Sequence, residues 1–231
     1  MCPVDFSEFS RRALDHAVAL ARWYNSSITV LHVATPAPAP AVAPYVGPEA
    51  LQPFALTDVD RERLRQELRI FVAAEGAPGV AIDTRVEEGI DVHEEILVQA
   101  QRLASDLIVL GTHGRSGFQR LFLGSVAEKV LRKAVCPVMT VPRAVPDAVP
   151  AGPGLFRRIL CPVDFSKSSA AALDYALSIA QEADATLTVL HSVEVLPDMT
   201  EPPFVMGLNM PELMEASRER VRAMIPDTAR T

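Results

Sequence analysis

A run of six residues occurs twice in this chain. Cys2-Pro3-Val4-Asp5-Phe6-Ser7 returns as Cys161-Pro162-Val163-Asp164-Phe165-Ser166, at an offset of 161 − 2 = 159. The offset holds without a gap. Ala13-Leu14-Asp15 becomes Ala172-Leu173-Asp174, and Thr29-Val30-Leu31-His32 becomes Thr188-Val189-Leu190-His191. Over residues 2–33, 16 of 32 positions are identical, so the chain carries a duplicated module. The copies are unequal. The first spans residues 1–143, a Pro/Ala/Gly-rich linker spans 144–155, and the second spans 156–231, matching only the opening half of the first. Leu160 aligns with Met1, so Phe156 to Ile159 have no counterpart in the first copy.

Composition narrows the class. The chain has 231 residues, roughly one and a half domains at about 150 residues each. Hydrophobic residues make up 49% and charged residues 22%, which excludes a disordered chain. The formal net charge of -7 gives no general attraction to nucleic acid or to an anionic membrane. Three cysteines without a CxxC pair form neither a disulfide framework nor a zinc site, and suit a reducing cytosol. The first 27 residues are charged and amphipathic, without the apolar core of a signal peptide, and no apolar run is long enough to span a membrane.

Periodicity places the elements. Residues 1–4 read as a short first strand. Residues 7–24 read as a helix, with Leu14, Ala17, Val18, Ala21 and Tyr24 on one face. Residues 27–33 form a short apolar strand. Six prolines between residues 34 and 56 forbid regular structure there. Thr57 and Asp60 stand in capping-box position before a helix to about residue 75. A strand follows over 80–86, then a helix over 91–105 capped by Asp91 with Glu94, a buried strand over 106–111, a helix over 124–134 and a strand over 137–141. In the second copy, 156–163 reads as a buried strand. Strands alternating with helices predict an open α/β sheet of five parallel strands, covered on both faces, with ligands at the carboxyl ends of the strands.

One such end carries chemistry. Gly111-Thr112-His113-Gly114 closes the 106–111 strand, and Gly124-Ser125 opens a helix after nine further residues, giving G-x-x-G-x9-G-S. Glycines let backbone N–H groups approach an anion, a helix N-terminus adds free N–H groups and the positive end of its dipole, and Ser125 adds a hydroxyl. This spacing points to a phosphate cradle. It is neither a Walker loop, for want of the lysine, nor the dinucleotide fingerprint. Asp5, at the end of the first strand, either accepts ribose hydroxyls or serves as a helix N-terminal charge. Arg115 and Arg120 either reach phosphates or belong to a solvated basic loop. His113, His32, His191 and the three cysteines read as structural, and Met199, Met206, Met210 and Met214 as packing residues.

Pro3-Val4-Asp5-Phe6-Ser7, the strand ending Leu31-His32-Val33, and Gly111 through Ser125 together resemble the universal stress protein family. The resemblance covers the first copy and the opening half of the second. It implies a five-stranded sheet of order 3-2-1-4-5 and the ATP-binding branch of that family. It implies that Pro3, Val4 and Asp5 touch adenine and ribose, that Val33 packs on adenine, and that Gly111, Gly114, Gly124, Ser125 and Val126 hold ribose and phosphates, with Arg115 nearby. ATP would enter with Mg²⁺ or Mn²⁺. The resemblance also implies a cytoplasmic stress or regulatory protein and a homodimer formed through strand 137–141. A slow ATPase or phosphotransfer enzyme and a non-binding interaction scaffold are the alternatives. No catalytic residue is assigned, because neither a general base nor a Walker-type lysine is identifiable.

Overall fold

Residues Ile28–Ala34 form β2, the strand around which the first half of the chain is built. The computed structural model describes residues 1–36, 56–74, 76–112, 123–142, 152–193 and 210–229, and divides into two compact units, Met1–Gly152 and Pro153–Thr231.

In the first unit, β1 (Cys2–Pro3) and β3 (Ile82–Glu88) pair in parallel with the two sides of β2, in the order β1-β2-β3. Cys2 stands opposite Val30, and Ile28 opposite Ile82. β4 (Ile108–Gly111) and β5 (Val138–Val141) form a second parallel sheet, Ile108 opposite Val138. All the ladders are parallel, as the alternation predicts. The predicted single sheet of five is instead a three-stranded and a two-stranded sheet. β1 lies beside β4, where the Met1 ammonium donates to the Leu107 carbonyl at 2.7 Å and Val109 N–H donates to the Met1 carbonyl at 3.0 Å, but Pro3 has no N–H to continue a ladder.

Helices lie on both faces. α1 (Glu8–Tyr24) is capped by Ser7, whose hydroxyl accepts Ser10 N–H, and stops at Asn25 in the left-handed region at φ +48°. α2 (Asp58–Ala73) carries the full capping box of Thr57 and Asp60. α3 (Val92–Arg102) is capped by Asp91 accepting from His93 N–H. α4 (Ser125–Lys133) leads into β5. Leu14, Val18, Val30, Leu68 and Val109 pack together on one face, and Leu31, Ile96, Ile108, Leu110 and Val130 on the other. Neighbours along β2 and β4 thus face opposite layers, which is why these strands read as unbroken apolar runs. Each fully buried aliphatic side chain contributes about 1.5–3 kcal/mol. β3 starts two residues later than its pattern suggests, because Val80 N–H closes a turn onto Ala77 O and Gly79 takes φ +83°.

A 3-10 turn at Gly152–Leu155, inside the predicted linker, leads into the second unit, whose first strand is β6 (Arg158–Pro162), shorter at both ends than the predicted 156–163. α5 (Lys167–Ala183) is capped by Ser166, whose hydroxyl accepts Ser169 N–H, and ends at Asp184 at φ +50°. β7 (Thr186–Leu190) pairs in parallel with β6, Arg158 opposite Thr186. α6 (Met210–Met224) and a 3-10 turn at Asp227–Ala229 follow. Cys161, Val163, Leu173 and Ala176 make a small core. Leu190 is 49% exposed where its counterpart Leu31 is fully buried, so this sheet is covered less completely. Met214 is exposed, while Met199 and Met206 lie outside the described residues. Among the described residues, no helix is long and apolar enough to cross a membrane.

Candidate functional site

The turn from β1 into α1 is built by a carboxylate. Asp5 Oδ1 accepts Ser7 N–H at 3.1 Å and the Ser7 hydroxyl at 2.5 Å, while Asp5 N–H donates to Ser10 Oγ at 3.3 Å. Phe6, between them, takes φ +62°, a region that a bulky residue enters only when its surroundings over-determine it. Here the Phe6 ring lies against His32 and meets Phe71 edge-on. His32 Nδ1 in turn lies 2.9 Å from the Val4 carbonyl, and His32 also lines the adjoining cleft. Asp5 therefore organises the start of α1 and also faces the adjoining cleft.

That cleft, about 620 Å³, lies at the carboxyl ends of β1, β2 and β4. Pro3, Val4 and Asp5 approach from β1, Val33 from β2, Gly111 from β4, and Gly124, Ser125 and Val126 from the start of α4. Residues far apart in sequence are thus brought around one space. Gly114, Arg115, His113 and Arg120 lie outside the described residues. The cleft also takes in residues that motif reading passed over: Ser10, Thr112, Val92 and Ile96 of α3, and Leu56 and Leu64 beside and on α2. The i, i+4 spacing of Val92 and Ile96 is the one signal in the sequence that marks an apolar wall there.

The start of α4 differs chemically from those of α1, α2, α3 and α5. α1, α2, α3 and α5 each have a side-chain cap, from Ser7, Thr57, Asp91 and Ser166. α4 begins at Gly124, with no side-chain cap hydrogen bond. Among the described residues no side chain caps its first-turn N–H groups, which with the helix dipole are suited to an anionic acceptor. Gly124 is held in place by its own N–H, which donates to the Thr112 carbonyl at 2.6 Å. Gly111 owes its missing side chain to a different neighbour. A Cβ there would stand 3.0 Å from the Phe9 carbonyl oxygen, so the close approach of α1 favours the glycine.

A histidine cluster borders α3 and α4. His93, buried, meets the Asp91 carboxylate through Nδ1 and lies 3.4 Å from Lys133 Nζ through Nε2. With Glu94 these side chains bring ligand-type atoms within 4.8 Å of one another, but both imidazole nitrogens are engaged. The cluster ties the two helices together. Cys2 is fully buried, and desolvation pushes its thiol up to about 12.

The sequence model of the universal stress protein family matches residues 1–142 and again 155–230. A universal stress protein of Methanocaldococcus jannaschii is 34% identical over 140 residues, covering 60% of this chain and 78% of that protein. One of Bacillus subtilis is 32% identical over 141 residues, covering 60% and 94%. The crystal structure of a universal stress protein from Archaeoglobus fulgidus shares the fold at a TM-score of 0.59, with 24% identity over 96% of this chain and 73% of that one.

Proposed function

The chain belongs to the universal stress protein family, and from that premise we propose that its first unit binds ATP, with Mg²⁺ or Mn²⁺, in the cleft at the carboxyl ends of β1, β2 and β4. The observation that carries this is the uncapped start of α4 at Gly124, opening onto a cleft that Asp5 and Val33 also face. The N–H groups of that first turn and the Ser125 hydroxyl hold phosphate oxygens. Asp5 accepts from the ribose hydroxyls, and Val33, Pro3 and Val4 pack against adenine beside Val92 and Ile96. Gly111 sets the floor, and Gly114 and Arg115 complete the cradle. The metal ion enters with the phosphates, and no protein ligand is assigned to it.

In this reading the two sheets of the first unit act as one, of order 3-2-1-4-5, joined through Met1. The protein works in the cytoplasm as a stress or regulatory protein whose loaded and empty states differ, and pairs with a second copy along strand 137–141. The mass of nucleotide released on denaturing the purified protein tests the reading. Adenine nucleotide in stoichiometric amount supports it. Protein that is empty as purified and fails to bind ATP in calorimetry overturns it. Phosphate release above blank would mark a slow ATPase on the same site.

A further inference from the structure

The first half of α2 is tied to the sheet by a side chain. The side chains that α2 buries, Leu68 and Phe71, lie in its second half, where Arg11 also donates to the Phe71 carbonyl at 2.6 Å. The capping box of Thr57 and Asp60 and the pair of Arg65 with Glu62 stay within the helix. Arg61 reaches out of it. Its Nε donates to Glu88 Oε1 at the end of β3, and its Nη1 donates to Asp58 Oδ1 at 2.7 Å. The Arg61 and Glu88 side chains are 35% and 32% exposed, so this pair is partly withdrawn from water, whereas Asp58 is 98% exposed. Salt screens such a half-covered pair less than a fully exposed one.

Both ends of this tie adjoin the cleft. On the helix side, Leu56 precedes α2 and Leu64 stands one turn beyond Arg61, and both leucines line the cleft. On the sheet side, Glu88 stands opposite Ala34 in the β2–β3 ladder, and Gly89 N–H donates to the Ala34 carbonyl at 3.1 Å. Ala34 lines the cleft beside Val33. Arg61 and Glu88 are not part of that lining. They stand behind it and fix the spacing between the two leucines and the end of β2.

We propose that the Arg61–Glu88 pair is a latch that holds Leu56 and Leu64 against a bound nucleotide and so sets how long the nucleotide is retained. This rests on the ATP reading of the cleft. Arg61 and Glu88 are positioning residues, which act through the leucines and do not touch the ligand. With the pair in place the first turns of α2 are ordered before the ligand arrives, so covering the apolar end of the cleft costs little further entropy. Without it the second half of α2 stays docked through Leu68 and Phe71 while the first half opens. The effect then falls on release more than on association.

The test times the release of a fluorescent ATP analogue, chased by excess ATP, from the full chain and from its Arg61→Gln, Glu88→Gln, doubly substituted and Asp58→Asn variants. Each of the first two variants should release about two- to fivefold faster. The double variant should be no faster than either single one, because the two side chains act as a unit. The gap to the unaltered chain should narrow at high salt, and Asp58→Asn should leave the rate unchanged. Unchanged release in Arg61→Gln and Glu88→Gln, or losses that add in the double variant, would overturn the latch. Hydrogen exchange on nucleotide-free protein tests the tie apart from the ligand: Arg61→Gln should speed exchange over residues 61–64 and leave residues 68–72 as they were. An unaltered chain that binds no ATP would overturn the nucleotide reading and the retention role with it, whatever the exchange rates.

Discussion

The rings of Phe6 and His32 lie with centroids 4.3 Å apart, and the same relationship recurs between Phe165 and His191 at 4.2 Å. In both repeats the phenylalanine takes a left-handed backbone, φ +62° and φ +64°. In both, the histidine Nδ1 lies within hydrogen-bond distance of a valine carbonyl, Val4 or Val163, at 2.9 and 2.8 Å. Duplication has preserved a strained turn together with the contacts that hold it. Such strain costs about 1–3 kcal/mol and persists because the ring packing and the carboxylate turn offset it.

Phe6→Ala keeps the strained φ and loses the ring. It should destabilise the first unit by about 2 kcal/mol and weaken nucleotide binding through a looser Asp5. Phe6→Gly relieves the backbone and should cost less. Urea unfolding of the two variants, with ATP titrations alongside, checks the order. A glycine variant less stable than the alanine variant would show that the backbone is not strained there.

The two glycines of the cleft should separate by readout. Gly111→Ala forces a Cβ against the Phe9 carbonyl and should lower stability by about 1–3 kcal/mol. Gly124 sits at φ −69°, ψ 152°, open to any residue, so Gly124→Val should leave the melting temperature nearly unchanged. It should cut ATP affinity by tenfold or more, about 1.4 kcal/mol, by crowding the N–H groups of α4. Calorimetry and thermal melts on both variants decide.

Asp5 and Asp164 occupy matching turns, yet only Asp5 faces the larger cleft. Asp5→Ala should weaken ATP binding ten- to a hundredfold, about 1.5–3 kcal/mol for a charged hydrogen bond. Asp164→Ala should leave affinity unchanged. Parallel titrations test this, and equal losses would refute the asymmetry.

The Ser166 hydroxyl and N–H hold the Asp164 carboxyl at about 2, below its ordinary 3.8. Its stabilising contribution is therefore complete above pH 4 and is lost as the pH falls from 3.8 through 2. Carboxylate NMR should find Asp164 titrating near 2, and Ser166→Ala should return it toward 3.8. An unchanged midpoint in that variant would remove Ser166 as the cause.

Thiol reagents should rank the cysteines by access. Cys136 is half-buried, whereas Cys2 is fully buried with its thiol pushed up to about 12. At pH 8 Cys136 should label first and Cys2 last, because the thiolate is the reacting species. Mass spectrometry of partly labelled protein gives the order.

The repeat, the helices and most strands were legible because they rest on local rules. Leu14, Ala17, Val18 and Ala21 recur at helical spacing, Thr57 and Asp60 cap α2 reciprocally, and the β4 run is apolar because both its faces are buried. The glycine and serine at the start of α4 were legible for the same reason, since a helix start is a local event. Tertiary packing alone decided the rest. Asp5, Val33 and Gly124 share a cleft because β1, β2 and α4 meet there, and no local pattern encodes that meeting. α1 passes close over Gly111 and leaves little room for a side chain, a contact across 102 residues (111 − 9). The left-handed Phe6 is held by a histidine of the next strand, and Met1 meets Leu107 across 106 residues. Sequence periodicity tells each segment which of its faces is buried, while the three-dimensional fold chooses the partner that buries it.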